Sequence, residues 1–265
     1  MAKEKISFII RAKNGYNSAC RCINSVKRQS VSKYDLLVCV YKKSELEQLK
    51  KEYPDVKFKH IKKDKAFVEK FNEFARASKS KYCVMLDGDS LIAPDAVETI
   101  LKHDSDTLIF NIAKINEEGR FRGYYANKTL ESEVNYIKRI QSVWAVAVKP
   151  DMIRDKDISL KGMDYPNQAL YLLMCMSLAK EVKFTLKCLV YKWTVIGDKE
   201  ITAEFFEENK DDISRAIKAF ADSGRNKAKA QVIRIFMMNE IEESFDLPVI
   251  QRLKKVWSLV KMIWF

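Results

Sequence analysis

Two aspartates one residue apart can offer oxygen ligands to a divalent cation, which can then bridge the oxygens of a diphosphate. The chain carries three such triplets, Asp87/Asp89, Asp104/Asp106 and Asp155/Asp157. Seventeen aspartates in 265 residues produce a triplet or so by chance, so context must separate them. Asp87-Gly88-Asp89-Ser90 directly follows the apolar run Tyr82–Leu86, which reads as a buried strand. Two carboxylates then sit at the carboxyl end of a strand, where α/β sheets bind ligands. The other two triplets lie in charged, loop-like stretches. A polar turn after a buried strand has the same pattern, and residue types alone leave the two readings level.

The elements that must position these carboxylates follow from periodicity. Strands are expected at Ile6–Ala12, Leu36–Tyr41, Val56–Ile61 and Tyr82–Leu86. Helices are expected between and after them, at Ser18–Gln29, Glu45–Glu52, Phe67–Ala77 and Pro94–Leu101. This alternation predicts a largely parallel sheet covered by helices. The middle is less regular. Strands are read at Thr107–Ile115, Phe121–Tyr125 (after a turn at Asn116–Gly119), Trp144–Val148 (stopped by Pro150) and Thr185–Trp193, with a helix at Asn167–Ala179. From Thr202 the chain reads as helical, with Thr202–Asp222, Arg225–Ser244 and a last segment Leu247–Phe265. The expected organisation is one α/β domain over residues 1–195 and a helical C-terminal extension over 196–265.

Composition narrows the function classes. Hydrophobic residues make up 47% of the chain, enough for a large core, and no run of about 18 apolar residues is present to span a membrane as a helix. Met1–Arg11 has no small-residue cleavage site and is not expected to be a signal peptide. The formal charge is +12, and residues 1–81 hold 21 basic against nine acidic residues, so the whole excess lies in the first third. Such a bias suits nucleic acid, an anionic membrane surface or an anionic small substrate, or simply solvated helix faces. No nucleic-acid-reading motif accompanies it, and nucleic acid is not an expected partner. The six cysteines form no C-x-x-C pair and only two histidines are present, which argues against structural zinc. Cys39 and Cys83 fall inside strand-like runs, so free core thiols and a cytoplasmic location are expected.

The final segment carries its own pattern. Val249, Leu253, Val256, Trp257, Val260, Ile263 and Trp264 share one broad helical face, and Gln251, Lys254, Lys255, Ser258 and Lys261 lie largely opposite. Residues 247–265 read either as an interfacial helix on an anionic membrane or as a helix docked on the protein's own core or a second subunit.

Several pieces together resemble family 2 glycosyltransferases. Ser7-Phe8-Ile9-Ile10-Arg11-Ala12-Lys13-Asn14, then Arg21-Cys22-Ile23-Asn24-Ser25-Val26 and Gln29-Ser30, resemble that family's opening strand and helix. Phe71-Asn72-Glu73 resembles its Ala-Arg-Asn helix. Tyr82–Ser90 followed by Pro94 resembles its Asp-x-Asp strand, and Met163-Asp164 with the helix and strand that follow resembles its Glu-Asp region. The resemblance spans about residues 5–195. It implies a GT-A fold, a Rossmann-like mostly parallel sheet, and inverting transfer of a sugar from a nucleotide-sugar donor. It further implies a divalent metal, Mn²⁺ or Mg²⁺, on Asp89 with Asp87, and Asp87 against the donor. The donor is expected to meet Ala12, Lys13, Asn14, Tyr41 and Asn72 as well. Asp164 is implied as general base for an acceptor hydroxyl, although its place before Asn167 equally suits a helix cap.

The departures lie around the nucleobase. The family's Asp-Asp-Gly-Ser after the second strand is replaced by Val40-Tyr41-Lys42-Lys43, its first-strand Pro and Tyr by Arg11 and Lys13, and the Arg of its helix by Phe71. Tyr41 could stack on a base, and Lys13 or Lys43 could meet phosphate. The resemblance implies a glycan or lipid-linked acceptor in bacterial surface polysaccharide synthesis. A GT-A-like scaffold without donor binding is the alternative.

Overall fold

A computed structural model describes residues 4–116, 120–124, 137, 143–192, 201–244 and 248–264. Parts of the expected turn at 116–119, and Tyr125, Trp193, Leu247 and Phe265 at expected element ends, lie outside the described residues.

Among the described residues nine strands form one sheet in the order β3-β2-β1-β4-β8-β6-β9-β5, with β7 paired to β6. The strands are β1 Ile6–Ala12, β2 Tyr34–Val40, β3 Lys57–His60, β4 Tyr82–Asp87, β5 Ser90–Ile92, β6 Thr107–Ile115, β7 Phe121–Tyr124, β8 Val146–Val148 and β9 Val182–Lys192. β3, β2, β1 and β4 are parallel, as are β6 and β9, whereas β8 runs antiparallel between β4 and β6. Most paired residues are in parallel register, as the strand–helix alternation predicts.

β1 and β4 are buried along nearly their whole length, which is why they read as unbroken apolar runs. The helices α1 Tyr16–Lys27, α2 Lys43–Glu52 and α3 Asp64–Ala77 pack through single stripes. In α1 the stripe is Ala19, Cys22, Ile23 and Val26, at the spacing of one helical face. After α4 Ala96–Leu101, the sequence reading differs from the structure at Pro150. That residue ends β8 as expected, but it also starts a short helix, α5 Pro150–Asp155, because proline suits the first helical turn. β5 was not expected, since three residues after an acidic turn carry no periodic signal.

α6 Tyr165–Ser177 is buried continuously from Ala169 to Ser177, so its apolar residues surround it rather than forming a stripe. It lies against α7 Ala203–Asp222, which in turn packs on α8 Asn226–Ser244. Phe206, Ile213, Ile217 and Phe220 of α7 join the same core as the sheet. α9 Val249–Trp264 contacts α7 and α8. Its Leu259 is buried and Val256 and Val260 are half-buried, whereas Val249, Ile250, Leu253 and Trp257 are 59–70% exposed. One flank of the expected apolar face is thus docked and the other is open. All six cysteines are free thiols, and among the described residues no helix is long and apolar enough to cross a membrane.

Candidate active site

The chain runs β1, β2, β3 toward one side of the sheet and then returns to place β4 on the other side of β1. Such a reversal is where α/β sheets bind ligands, here beyond the carboxyl ends of β1 and β4. Arg11 of β1 stands opposite Asp87 of β4, and Ala12 stands opposite Val40 of β2, so the three strands end level.

Gly88 makes that close join possible. Its N–H donates to the Arg11 carbonyl at 2.8 Å. A Cβ at this position would stand 3.0 Å from both Ala12 Cα and the Arg11 carbonyl oxygen, which are backbone atoms that cannot swing aside. Gly88→Ala is therefore expected to cost about 1–3 kcal/mol in urea denaturation by forcing Asp87 and Asp89 away from β1. Ala12, expected at the donor, lies buried beneath this crossing.

Asp87 and Asp89 are buried, and the ammonium of Lys192 lies between them. Lys192 Nζ donates to Asp87 Oδ2 and to Asp89 Oδ1, both at 2.7 Å. The Lys192 side chain is 5% exposed, and its ammonium stands 5.4 Å from the centroid of the Trp144 ring. Strand pairing explains the placement: Lys192 ends β9 opposite Ser90 of β5, the residue after Asp89. Arg11 Nη1 adds a second positive charge 3.9 Å from Asp87 Oδ2. A divalent ion, expected on Asp89 with Asp87, would have to displace the Lys192 ammonium from its bridging position. The other Asp87 oxygen, Oδ1, is buried without a hydrogen-bond partner among the described residues.

A third carboxylate organises Arg11 together with Lys13 and Tyr41, the basic and aromatic residues expected at the donor. Asp64, in the first turn of α3, accepts from Arg11 Nε at 3.2 Å, from Arg11 Nη2 and from Lys13 Nζ at 2.9 Å. The Tyr41 hydroxyl also donates to it, and Lys13 Nζ lies 5.8 Å from the Tyr41 ring centroid. Burial works to raise the Asp64 pKa, but the Lys13 and Tyr41 hydrogen bonds and the Arg11 charge outweigh it and hold the carboxyl below its ordinary value. Burial likewise pushes the Tyr41 hydroxyl up, and its bond to Asp64 adds to the shift. Sequence reasoning missed Asp64, because the expected helix began at Phe67 and the partners of Asp64 lie 23 to 53 residues away. Asn14 lies exposed in the turn from β1 to α1.

Asn72 and Asp164 belong to a second group. Asn72, expected at the donor, spends its amide on the Leu160 backbone: Nδ2 donates to the Leu160 carbonyl at 2.8 Å and Oδ1 accepts from the Leu160 N–H at 2.9 Å. It thereby ties the segment leading to Asp164 onto α3. Asp164 is exposed and caps α6, with Oδ1 accepting from the Asn167 N–H at 3.0 Å. The Asn167 side-chain amide also donates to both carboxylate oxygens, at 3.0 and 2.9 Å.

A mostly parallel, helix-covered sheet with an Asp-x-Asp turn at the end of a central strand is the arrangement of the GT-A fold. The model of glycosyl transferase family 2 matches residues 7–145, and the chain belongs to that family. It is a glycosyltransferase. The structure is similar to S. aureus TarS 1–349, with TM-score 0.67 at 14% identity, covering 98% of this chain and 81% of that one. A TarS structure in complex with UDP-GlcNAc matches over the same shares, with TM-score 0.65 at 14% identity. A mannosyltransferase from Pyrobaculum calidifontis, in complex with GDP-Man and Mn²⁺, is similar with TM-score 0.52 at 9% identity, covering 98% of this chain and 77% of that one. No curated protein matches the sequence.

Proposed function

We propose that the protein transfers a sugar, with inversion, from a nucleoside-diphosphate sugar to a hydroxyl of a glycan or lipid-linked acceptor in bacterial surface polysaccharide synthesis. The observation that carries this reading is the convergence of Arg11, Lys13, Tyr41, Asp64, Asp87 and Asp89 on the ends of β1, β2 and β4. In this reading residues 1–195 form the catalytic unit and 196–265 its helical extension.

Transfer puts negative charge on the departing nucleoside diphosphate, and fixed positive groups beside it lower the barrier. Arg11 and Lys13 supply such groups, and their bonds to Asp64 hold them in place before the donor arrives. Tyr41 offers a ring for the nucleobase in place of the missing carboxylate after β2. Asp87 Oδ1 is left to accept from a donor hydroxyl. Asp164 takes the proton of the acceptor hydroxyl as that oxygen attacks the anomeric carbon from the face opposite the leaving group, and the Asn72 clamp positions its segment. The family's divalent ion would supply further charge neutralisation. The residues present do not fit it, because Lys192 already bridges the two carboxylates.

The test is a donor screen with UDP-, GDP- and TDP-sugars, with and without Mn²⁺, read by nucleoside diphosphate release. Release from at least one donor is expected. No release and no binding of any nucleoside diphosphate would remove the reading.

The open flank of α9, with Arg252, Lys254 and Lys255 on the same helix, supports a seat on an anionic membrane surface near a lipid-linked acceptor. Removing residues 247–265 is expected to abolish co-sedimentation with anionic liposomes, and unchanged binding would exclude this role.

A further inference from the structure

We infer that Lys192 is a resident cation that takes the place of a divalent metal between Asp87 and Asp89, so that donor binding needs no metal. The inference rests on the donor reading above and concerns how that same site balances charge. Two buried carboxylates one residue apart repel each other and repel a diphosphate. A metal-dependent enzyme relieves both repulsions with a divalent ion held by carboxylate oxygens. Here the ammonium occupies that bridging position, 2.7 Å from one oxygen of each aspartate.

The site is built to keep it there. Lys192 ends a strand that is paired on both sides, to Lys114 of β6 and to Ser90 of β5, so its backbone is held from two directions. The Trp144 ring beside the ammonium gives the charge an aromatic contact. A lysine has three N–H donors, and the carboxylates take two, leaving one for a further acceptor. Among the described residues, Arg11, Lys13 and Lys192 stand against Asp64, Asp87 and Asp89, one cation for each carboxylate. A diphosphate approaching this set meets a chain whose whole basic excess lies in residues 1–81.

The experiment titrates UDP and GDP into the full chain by calorimetry, once in EDTA and once in Mn²⁺, and follows bound Mn²⁺ by electron paramagnetic resonance. The expected result is binding of at least one nucleotide with affinities within about threefold in the two conditions, and no tightly held Mn²⁺. Binding that requires Mn²⁺, or strengthens tenfold or more with it, overturns the inference and leaves the glycosyltransferase reading standing. Failure of both nucleotides to bind in either condition overturns the donor reading and the inference with it. Lys192→Gln is expected to bind nucleotide at least tenfold more weakly in EDTA and to acquire bound Mn²⁺ at the vacated position, a gain that loss of packing would not produce. A folded Lys192→Gln that binds in EDTA as tightly as the unaltered chain also overturns it. If Lys192→Gln does not fold, the comparison on the unaltered chain decides.

Discussion

Asp164→Asn is expected to lower sugar transfer by about 10²- to 10⁴-fold. It should leave the stability of the fold within about 1 kcal/mol of the unaltered chain. The contrast follows from the cap the structure shows and the base role proposed for the same side chain. As the cap of α6, Asp164 accepts the Asn167 N–H, and asparagine caps a helix about as well as aspartate. As a base it must take a proton, which an amide cannot do. Asp164→Ala would remove both functions and confuse them. The Asn variant should therefore unfold at nearly the same urea concentration while nucleoside diphosphate release in the presence of acceptor collapses. Retained transfer would make Asp164 a cap alone. The segment before it is tight as well. A Cβ on Gly162 would stand 2.6 Å from Asp164 Oδ2, so the backbone wraps closely around this carboxylate.

The strands and the carboxylate turn were legible because each signal is local. β1 and β6 run over the residues their apolar runs mark, Ile6–Ala12 and Thr107–Ile115. The Asp87-Gly88-Asp89 turn stands at a strand end because a buried run precedes it. What was not legible depends on pairing across long separations. Lys192 meets Asp87 across 105 residues, brought there by the pairing of β9 with β5 and β6. In the sequence it is one lysine among many, in a strand expected to continue to Trp193. Asn72 lies on its expected helix, but its clamp on Leu160 was not legible, since Leu160 lies 88 residues away and nothing near Asn72 announces it. Asp64 shows a third kind of failure. Its three partners come from β1, the turn after it and the residue following β2, so its role is visible only once those ends are level.

Lys192→Met is expected to be the most destabilising single change at the site, by about 3–5 kcal/mol in urea or thermal denaturation at neutral pH. The methionine keeps the apolar stem and can pack beside Trp144, so lost volume contributes little. The cost comes from charge. Asp89 is fully buried and Asp87 nearly so, and without the ammonium two largely desolvated carboxylates face each other. Arg11 offsets only part of this, because its guanidinium is already shared with Asp64 and stands 3.9 Å from Asp87. Asp89→Asn alone should cost less, since Lys192 keeps Asp87 as its partner. Adding Asp89→Asn to Lys192→Met should recover part of the loss, because it removes one of the stranded charges. The resulting non-additivity should fall at about 0.5–3 kcal/mol, the range for groups in one network. Additive costs would mean that the ammonium and the carboxylates do not share the site the structure gives them.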